Sequence, residues 1–474
     1  MTFPLVGARR ATTPTGRAIL ADAARAADGG LADRIAATED WRKGYLSSVH
    51  AVTAASATSA DASRAIARAG LASMRERMVF ERDGEDLELS ASLARPRGRF
   101  ESRKLAGDAA PATELEVPYR GQVLRGEALR RRLDAWVEGG IVEPSVATAV
   151  GRVIDQPGWL RLEGRRVVIV GAAAEMGPLA PLTAWGANVI AIDLPDDGVE
   201  QRIADVARRG AGTVTVPVAD GAPGADLVRS LPELRRWLDE AAGRDALVLG
   251  MYAYADGGRH VRVTAAFDAL AREVMRERPG TALAFLATPT DAFVVPGEVI
   301  DAARAAWERR GARRLLQAPL HAVSRGRLFA AAYAGGEPVA DILVGQQGPN
   351  YALAKRIQRW QAIAAADGGA AVSVNVAPPA WTRSVTKNRV LAAAYAGARR
   401  FGVEIFSPDT ARVLMAALLA HDLHQPPDPG RHPERLFSDG AAHGGLWRRA
   451  YEPRSVLGIA ALTGLVRRQR GVPR

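Results

Sequence analysis

The chain holds 474 residues, 48% hydrophobic and 24% charged, a balance that excludes a disordered polymer and predicts two or three packed units. It has no cysteine, so disulfides, thiolate catalysis and cysteine-held metals or clusters are excluded, and a reducing, cytoplasmic setting is expected. The net charge of +11 is almost wholly arginine, since only Lys43, Lys104, Lys355 and Lys387 are lysine; the cations read as scattered, with one short run at Arg467, Arg468 and Arg470.

No basic-aromatic stripe points to nucleic acid. No apolar run approaches the roughly eighteen residues that span a bilayer, the longest being Val456 to Val466, so neither a membrane partner nor export is expected.

In chain order, Thr15 to Ala37 and Thr38 to Met78 carry small apolar residues at helical spacing, with a break expected at Gly29-Gly30. The stretch Ala94 to Pro118 is rich in proline, glycine and charge and reads as a linker. Two more helices are expected over Gly126 to Glu138 and Pro144 to Asp155, the second opened by Glu143-Pro144, which makes residues 1–160 a mainly helical region.

From Arg161 the texture becomes β-branched runs alternating with helical ones, which predicts an α/β domain over 161–474 with a doubly wound parallel sheet of the Rossmann type. Strands are expected at 166–170, 188–192, 213–218, 246–251, 281–287 and 371–376. The stretch of about 289–345, with a helix at 298–310 and a hairpin or second helix, interrupts the alternation as an insertion and is expected to wall or cover the substrate pocket.

The first strand runs into Gly171-Ala-Ala-Ala-Glu175-Met176-Gly177-Pro178. A glycine at the strand end permits a sharp turn, and the N–H groups of such a loop face an anionic pyrophosphate. Asp193 follows Gly171 by twenty-two residues, at the tip of the second strand, where a carboxylate accepts hydrogen bonds from an adenosine ribose. A dinucleotide is favoured over S-adenosylmethionine or an empty nucleotide-type fold. Asp196 and Asp197 nearby, without an arginine, favour NAD over NADP.

Further on, Tyr351-Ala-Leu-Ala-Lys355 stands near the start of a helix expected to reach Ala366. With eight tyrosines in the chain and lysine this rare, a chance Tyr-x-x-x-Lys is expected only roughly 0.07 times. Spacing of i and i+4 puts both side chains on one face, where a cation lowers a phenol's pKa toward neutrality.

The text VVIVGAAAEMG, VIAID, VPVAD, YALAK and VSVNVAPPAWT, in this order between Leu162 and Leu423, resembles the short-chain dehydrogenase/reductase family. The resemblance implies that Gly171, Glu175, Met176 and Gly177 form the cofactor loop. It also implies that Tyr351 exchanges the substrate oxygen's proton, that Lys355 assists it and holds the nicotinamide ribose, that Asp220 contacts adenine, and that Thr382 holds the nicotinamide amide. Three departures stand out. Glu175 replaces the middle glycine. Pro338 falls where the family has a serine, so Thr288 or Thr290, with Thr288 preferred, supplies the hydroxyl. Gly250-Met251-Tyr252-Ala253-Tyr254 stands in place of the family's asparagine relay.

The expectation is therefore an NAD-dependent oxidoreductase acting on a small-molecule carbonyl or alcohol, with a catalytically silent dinucleotide sensor or scaffold as the alternative. The resemblance also brings a homo-oligomer. His421, His424, His432 and His443 lack the carboxylate or cysteine pattern of a metal site, and none is expected.

Overall fold

The structure, a computed structural model, describes residues 1–7, 9–88, 92–93, 96–426, 428 and 430–469. Eight strands build its main sheet, the two-residue Ala222–Pro223 beside β4 and seven longer ones: β1 (Glu101–Ala106), β2 (Arg165–Val170), β3 (Asn188–Ile192), β4 (Thr213–Ala219), β5 (Ala246–Met251), β6 (Ala282–Ala287) and β7 (Val372–Val376). The seven longer strands lie side by side in the order β1, β4, β3, β2, β5, β6, β7; β1 is antiparallel to β4 and the others run parallel.

From β2 onward this is the Rossmann-like doubly wound order. Its winding reverses between β2 and β5, so the crevice at their carboxyl ends is the switch point where such sheets receive ligands. Register is set by apolar pairs: Val168 sits opposite Ile190 on one side and Leu249 on the other.

Both faces are covered, because successive residues of the central parallel strands are apolar and so both faces exclude water. One face presents Val168, Val170, Ile190 and Ile192 to the helices Leu231–Ala242, Gly258–Glu277 and Pro349–Asp367. The opposite face presents Val167, Ile169, Val189 and Val214 to Asp197–Arg209 and Pro408–His424.

Residues 1–160 are spread over both faces. The helices Thr12–Arg25, Trp41–Ser56 and Ala60–Arg77 add their apolar sides to the first core, while Gly126–Glu138 and Pro144–Asp155 join the second. Gly70 shows how close this docking is: a Cβ there would lie 2.4 Å from the Trp360 ring.

The structure changes several expectations of detail. Gly29-Gly30 opens the helix Gly29–Ala36, with Asp28 accepting from the Leu31 N–H, so the break falls before the glycines. Of the expected linker, residues 94 and 95 lie outside the described residues and 101–106 form β1. Its side chains are mostly exposed, as suits an edge strand blunted by charge. Of the two alternatives for the insertion the structure has the second helix, Arg313–Val323, and the insertion is closed at its base by an antiparallel pair, Ala292–Val294 with Val339–Asp341, rather than by a hairpin. Of the basic run near the end, Arg470 lies outside the described residues. Among those described, no helix is long and apolar enough to cross a membrane.

Candidate functional site

Gly171 ends β2 with φ +84°, and a Cβ on it would meet the Ala253 backbone at 2.4 Å. Only glycine meets both demands, a left-handed backbone and contact with the segment leaving β5. The loop closes on itself, Ala174 N–H donating to Gly171 O and Gly177 N–H to Ala174 O. The helix after it, Leu179–Ala184, is one and a half turns long. Among the described residues, the N–H groups of Ala172, Glu175 and Met176 have no protein acceptor. A loop of free donors is what an anion such as pyrophosphate requires.

Asp193 leaves β3 beside this loop. One carboxylate oxygen accepts the Ala173 N–H at 2.8 Å and the other the Leu194 N–H at 2.8 Å. Burial raises its pKa, against those two bonds. A cleft lined by Asp193, Leu194, Val199, Ile203 and Val216 opens here, with Arg103 of β1 at its rim. Arg103 donates to Glu200 at 3.1 Å and to Gly221 O at 3.2 Å.

Asp220 stands elsewhere. The chain continues past β4 into a tight antiparallel turn with Ala222–Pro223, and Asp220, at φ +50°, is at its exposed tip. The segment returning to the cleft is Gly224-Ala225, whose Ala225 N–H donates to Asp193 O at 2.7 Å.

Glu175 has a definite partner. Its carboxylate reaches across to the Arg383 N–H at 2.8 Å, the first residue of the helix Arg383–Lys387. Thr382 directly precedes that helix, with its hydroxyl 3.0 Å from that of Ser384. Glu175 thus links the glycine loop to the Thr382 segment.

Tyr351 lies in the first turn of Pro349–Asp367, and its ring packs against Tyr254 (centroids 5.9 Å) and His260 (5.4 Å); the last two are 5.6 Å apart. His260, two residues into the helix after β5, belongs to no motif in the sequence. It is fully buried, and neither ring nitrogen has a hydrogen-bond partner. Burial, then the charge of Lys355, pushes its pKa down to about 3.

The Tyr351 phenol differs from expectation. Burial holds its pKa above the ordinary value, a hydrogen bond from the Thr288 side chain acts in the opposite direction, and Asp291 adds to the rise. Lys355 Nζ lies 6.0 Å from the Tyr351 ring centroid and is engaged elsewhere, donating to Gln358 Oε1 at 2.9 Å and Leu286 O at 3.1 Å. The expected lowering of the phenol by the lysine is therefore absent, and burial is the largest cause of the shift. Burial also lowers Lys355 to about 8, with Asp291 opposing. Thr288 and Thr290, just after β6, are bonded to each other at 3.0 Å, and Gln347 donates to Thr290 at 2.7 Å.

Beneath the site lies a charge cluster whose parts the sequence left unconnected. Asp291 pairs with Arg356, and Glu434 with Arg359, all four buried. Arg356 also donates to Thr53 at 3.1 Å, anchoring an N-terminal helix to the tyrosine helix. The two cations and two anions balance, which suits their burial.

No protein-family model matches this chain. No curated protein matches it either.

The insertion divides its roles. Its paired strands adjoin Asp291, with the Ile342 N–H donating to Asp291 O at 3.0 Å. Its helices lean on the C-terminal segment, through Trp307 against Tyr451 and Tyr451 OH donating to Gln317 at 2.8 Å. The four histidines considered for metal have separate partners. His424 stacks on Trp159, His421 bonds Asp422, His432 accepts the Glu434 N–H, and His443 bonds Glu143.

Proposed function

We propose that the chain is an NAD-linked oxidoreductase interconverting an alcohol and a carbonyl on a small molecule, as a divergent relative of the short-chain dehydrogenases and reductases. The observation that carries this reading is a pair of contacts along the switch-point crevice, Gly171 against Ala253 and Tyr254 against Tyr351, with Thr288 just past the end of the adjoining strand β6. The glycine loop and the Tyr351 phenol thus lie along one edge of one sheet, which supports the reading. The free N–H groups of Ala172, Glu175 and Met176 fit the pyrophosphate, and Asp193 fits the ribose. NAD, when bound, supplies or removes a hydride.

In this reading the substrate oxygen binds between the hydroxyls of Tyr351 and Thr288. A phenol held protonated by burial is a proton donor at neutral pH, which favours the carbonyl-reducing direction. Lys355 Nζ, fixed by Gln358 and Leu286, holds a second proton close by. The cytoplasm, a homo-oligomer and the absence of a nucleic-acid partner complete the proposal.

Binding of NADH and NADPH, each titrated by protein fluorescence, tests the cofactor half. NADH should bind more tightly and Asp193→Ala should narrow the gap, whereas tighter NADPH binding would refute it. A panel of ketones and secondary alcohols followed by nicotinamide absorbance tests the chemistry.

Glu175 supports a second reading, a dinucleotide sensor without turnover. Its carboxylate spans the loop toward Arg383, where it opposes a second anion. Under that reading NADH binds and no substrate of the panel turns over.

A further inference from the structure

The helix Arg313–Val323 in the insertion stands almost free of the rest of the protein. From Arg314 to Val323 every residue but Gln317 is exposed, including Leu315 (70%), Leu316 (79%), Leu320 (50%) and Val323 (86%). Leu316, Leu320 and Val323 follow i, i+4, i+7 spacing and share one stripe. Between Glu308 and Glu337 the sequence contains no acidic residue but six arginines: 309, 310, 313, 314, 325 and 327. Among the described residues, Arg309, Arg314, Arg325 and Arg327 are exposed and have no carboxylate partner.

We infer that this helix is a docking element for an anionic lipid surface. Arg309 stands before the helix, Arg314 in its first turn, and Arg325 and Arg327 after its end, so a helix lying flat in the headgroup layer sets cations on phosphates at both ends while its leucines enter the acyl boundary. Charge selects this occupant. A second copy meeting the same face about a two-fold axis would bring arginines against arginines, and a nucleic acid has no use for a leucine stripe. The inference concerns a surface contact, which needs no helix able to cross a membrane, and it is independent of the proposed oxidoreductase chemistry.

Co-sedimentation of the full chain with vesicles tests it. Vesicles of 70% phosphatidylcholine and 30% phosphatidylglycerol should bind at least tenfold more protein than pure phosphatidylcholine, and ~0.5 M salt should release it. The double variant Leu316→Asp/Leu320→Asp should lose at least tenfold in binding, as should Arg309→Gln/Arg314→Gln/Arg325→Gln/Arg327→Gln. These positions are on the surface, so circular dichroism and NADH binding should be unchanged. Equal binding to both vesicle types, or undiminished binding by either variant, overturns the inference. So does a dimer in gel filtration that the leucine variant converts to monomer while vesicles bind neither form, since the face would then join two copies.

Discussion

Replacing His260 by phenylalanine should change how stability depends on pH, by an amount that follows from the imidazole's surroundings. The ring is fully buried against Tyr254 and Tyr351 without a partner for either nitrogen, and its pKa is pushed down to about 3. In the unfolded chain it returns to the ordinary value near 6.5. Between these values the unfolded state binds a proton that the folded state refuses, so stability falls as pH drops through 6.5 and goes on falling toward 3. At pH 5 the difference is about 1.5 pH units below the unfolded value, which at about 1.36 kcal/mol per unit makes about 2 kcal/mol lost relative to pH 8. His260→Phe removes the proton from both states, and the other titrating groups are shared by the two proteins. Urea unfolding at pH 8 and pH 5 should therefore show the parent losing about 2 kcal/mol more than the variant. Carbon-13 resonances of labelled histidine should show an imidazole that stays neutral down to pH 5 and that is missing from His260→Phe. If parent and variant lose the same stability, or if every histidine titrates above pH 5, the imidazole is solvated or partnered and the reasoning fails.

Three further outcomes are expected. Tyr351→Phe should lower turnover on any substrate at least about a hundredfold with NADH affinity unchanged, while Lys355→Met should weaken both; steady-state kinetics and fluorescence titration separate the two. Glu175→Gln removes the carboxylate that reaches Arg383 and should tighten NADH binding by up to about tenfold, or about 1.4 kcal/mol, in the same titration. Gly70→Ala should destabilise the protein by about 1–3 kcal/mol in urea, although alanine is the better helix former, because its methyl overlaps the Trp360 ring.

The parallel sheet was legible because its strands are buried on both faces and therefore read as continuous apolar runs; each expected strand falls within a residue or so of its observed bounds. Residues 101–106 were not, since an exposed edge strand made of Glu, Ser, Arg and Lys carries no apolar alternation. The glycine loop and Asp193 announced themselves through spacing that a local turn imposes. Asp220 was harder, because whether a strand ends or turns back into a hairpin is decided by the pairing it finds. The pair Tyr351 and Lys355 was visible as a pattern, but its electrostatics depend on depth and on Leu286 and Gln358, which lie outside the pattern. His260 carried no signal beyond being a histidine in an apolar stretch. The arginines of 309–327 escaped notice because apolar residues interrupt them, and only the exposed helix brings the two kinds of residue into one surface.

The contact of Gly70 with Trp360 has a consequence for synthesis. The N-terminal helices leave the ribosome with their apolar sides bare, and the helix that covers them is 290 residues further along the chain. At about 5–20 residues per second, that interval lasts roughly 15–60 s. The strand at 101–106 waits similarly for an edge to pair with at 213–219. A nascent chain of this design therefore exposes a helical hydrophobic surface for much of its elongation, and its yield in a cell should rise and fall with the supply of chaperones that bind such surfaces.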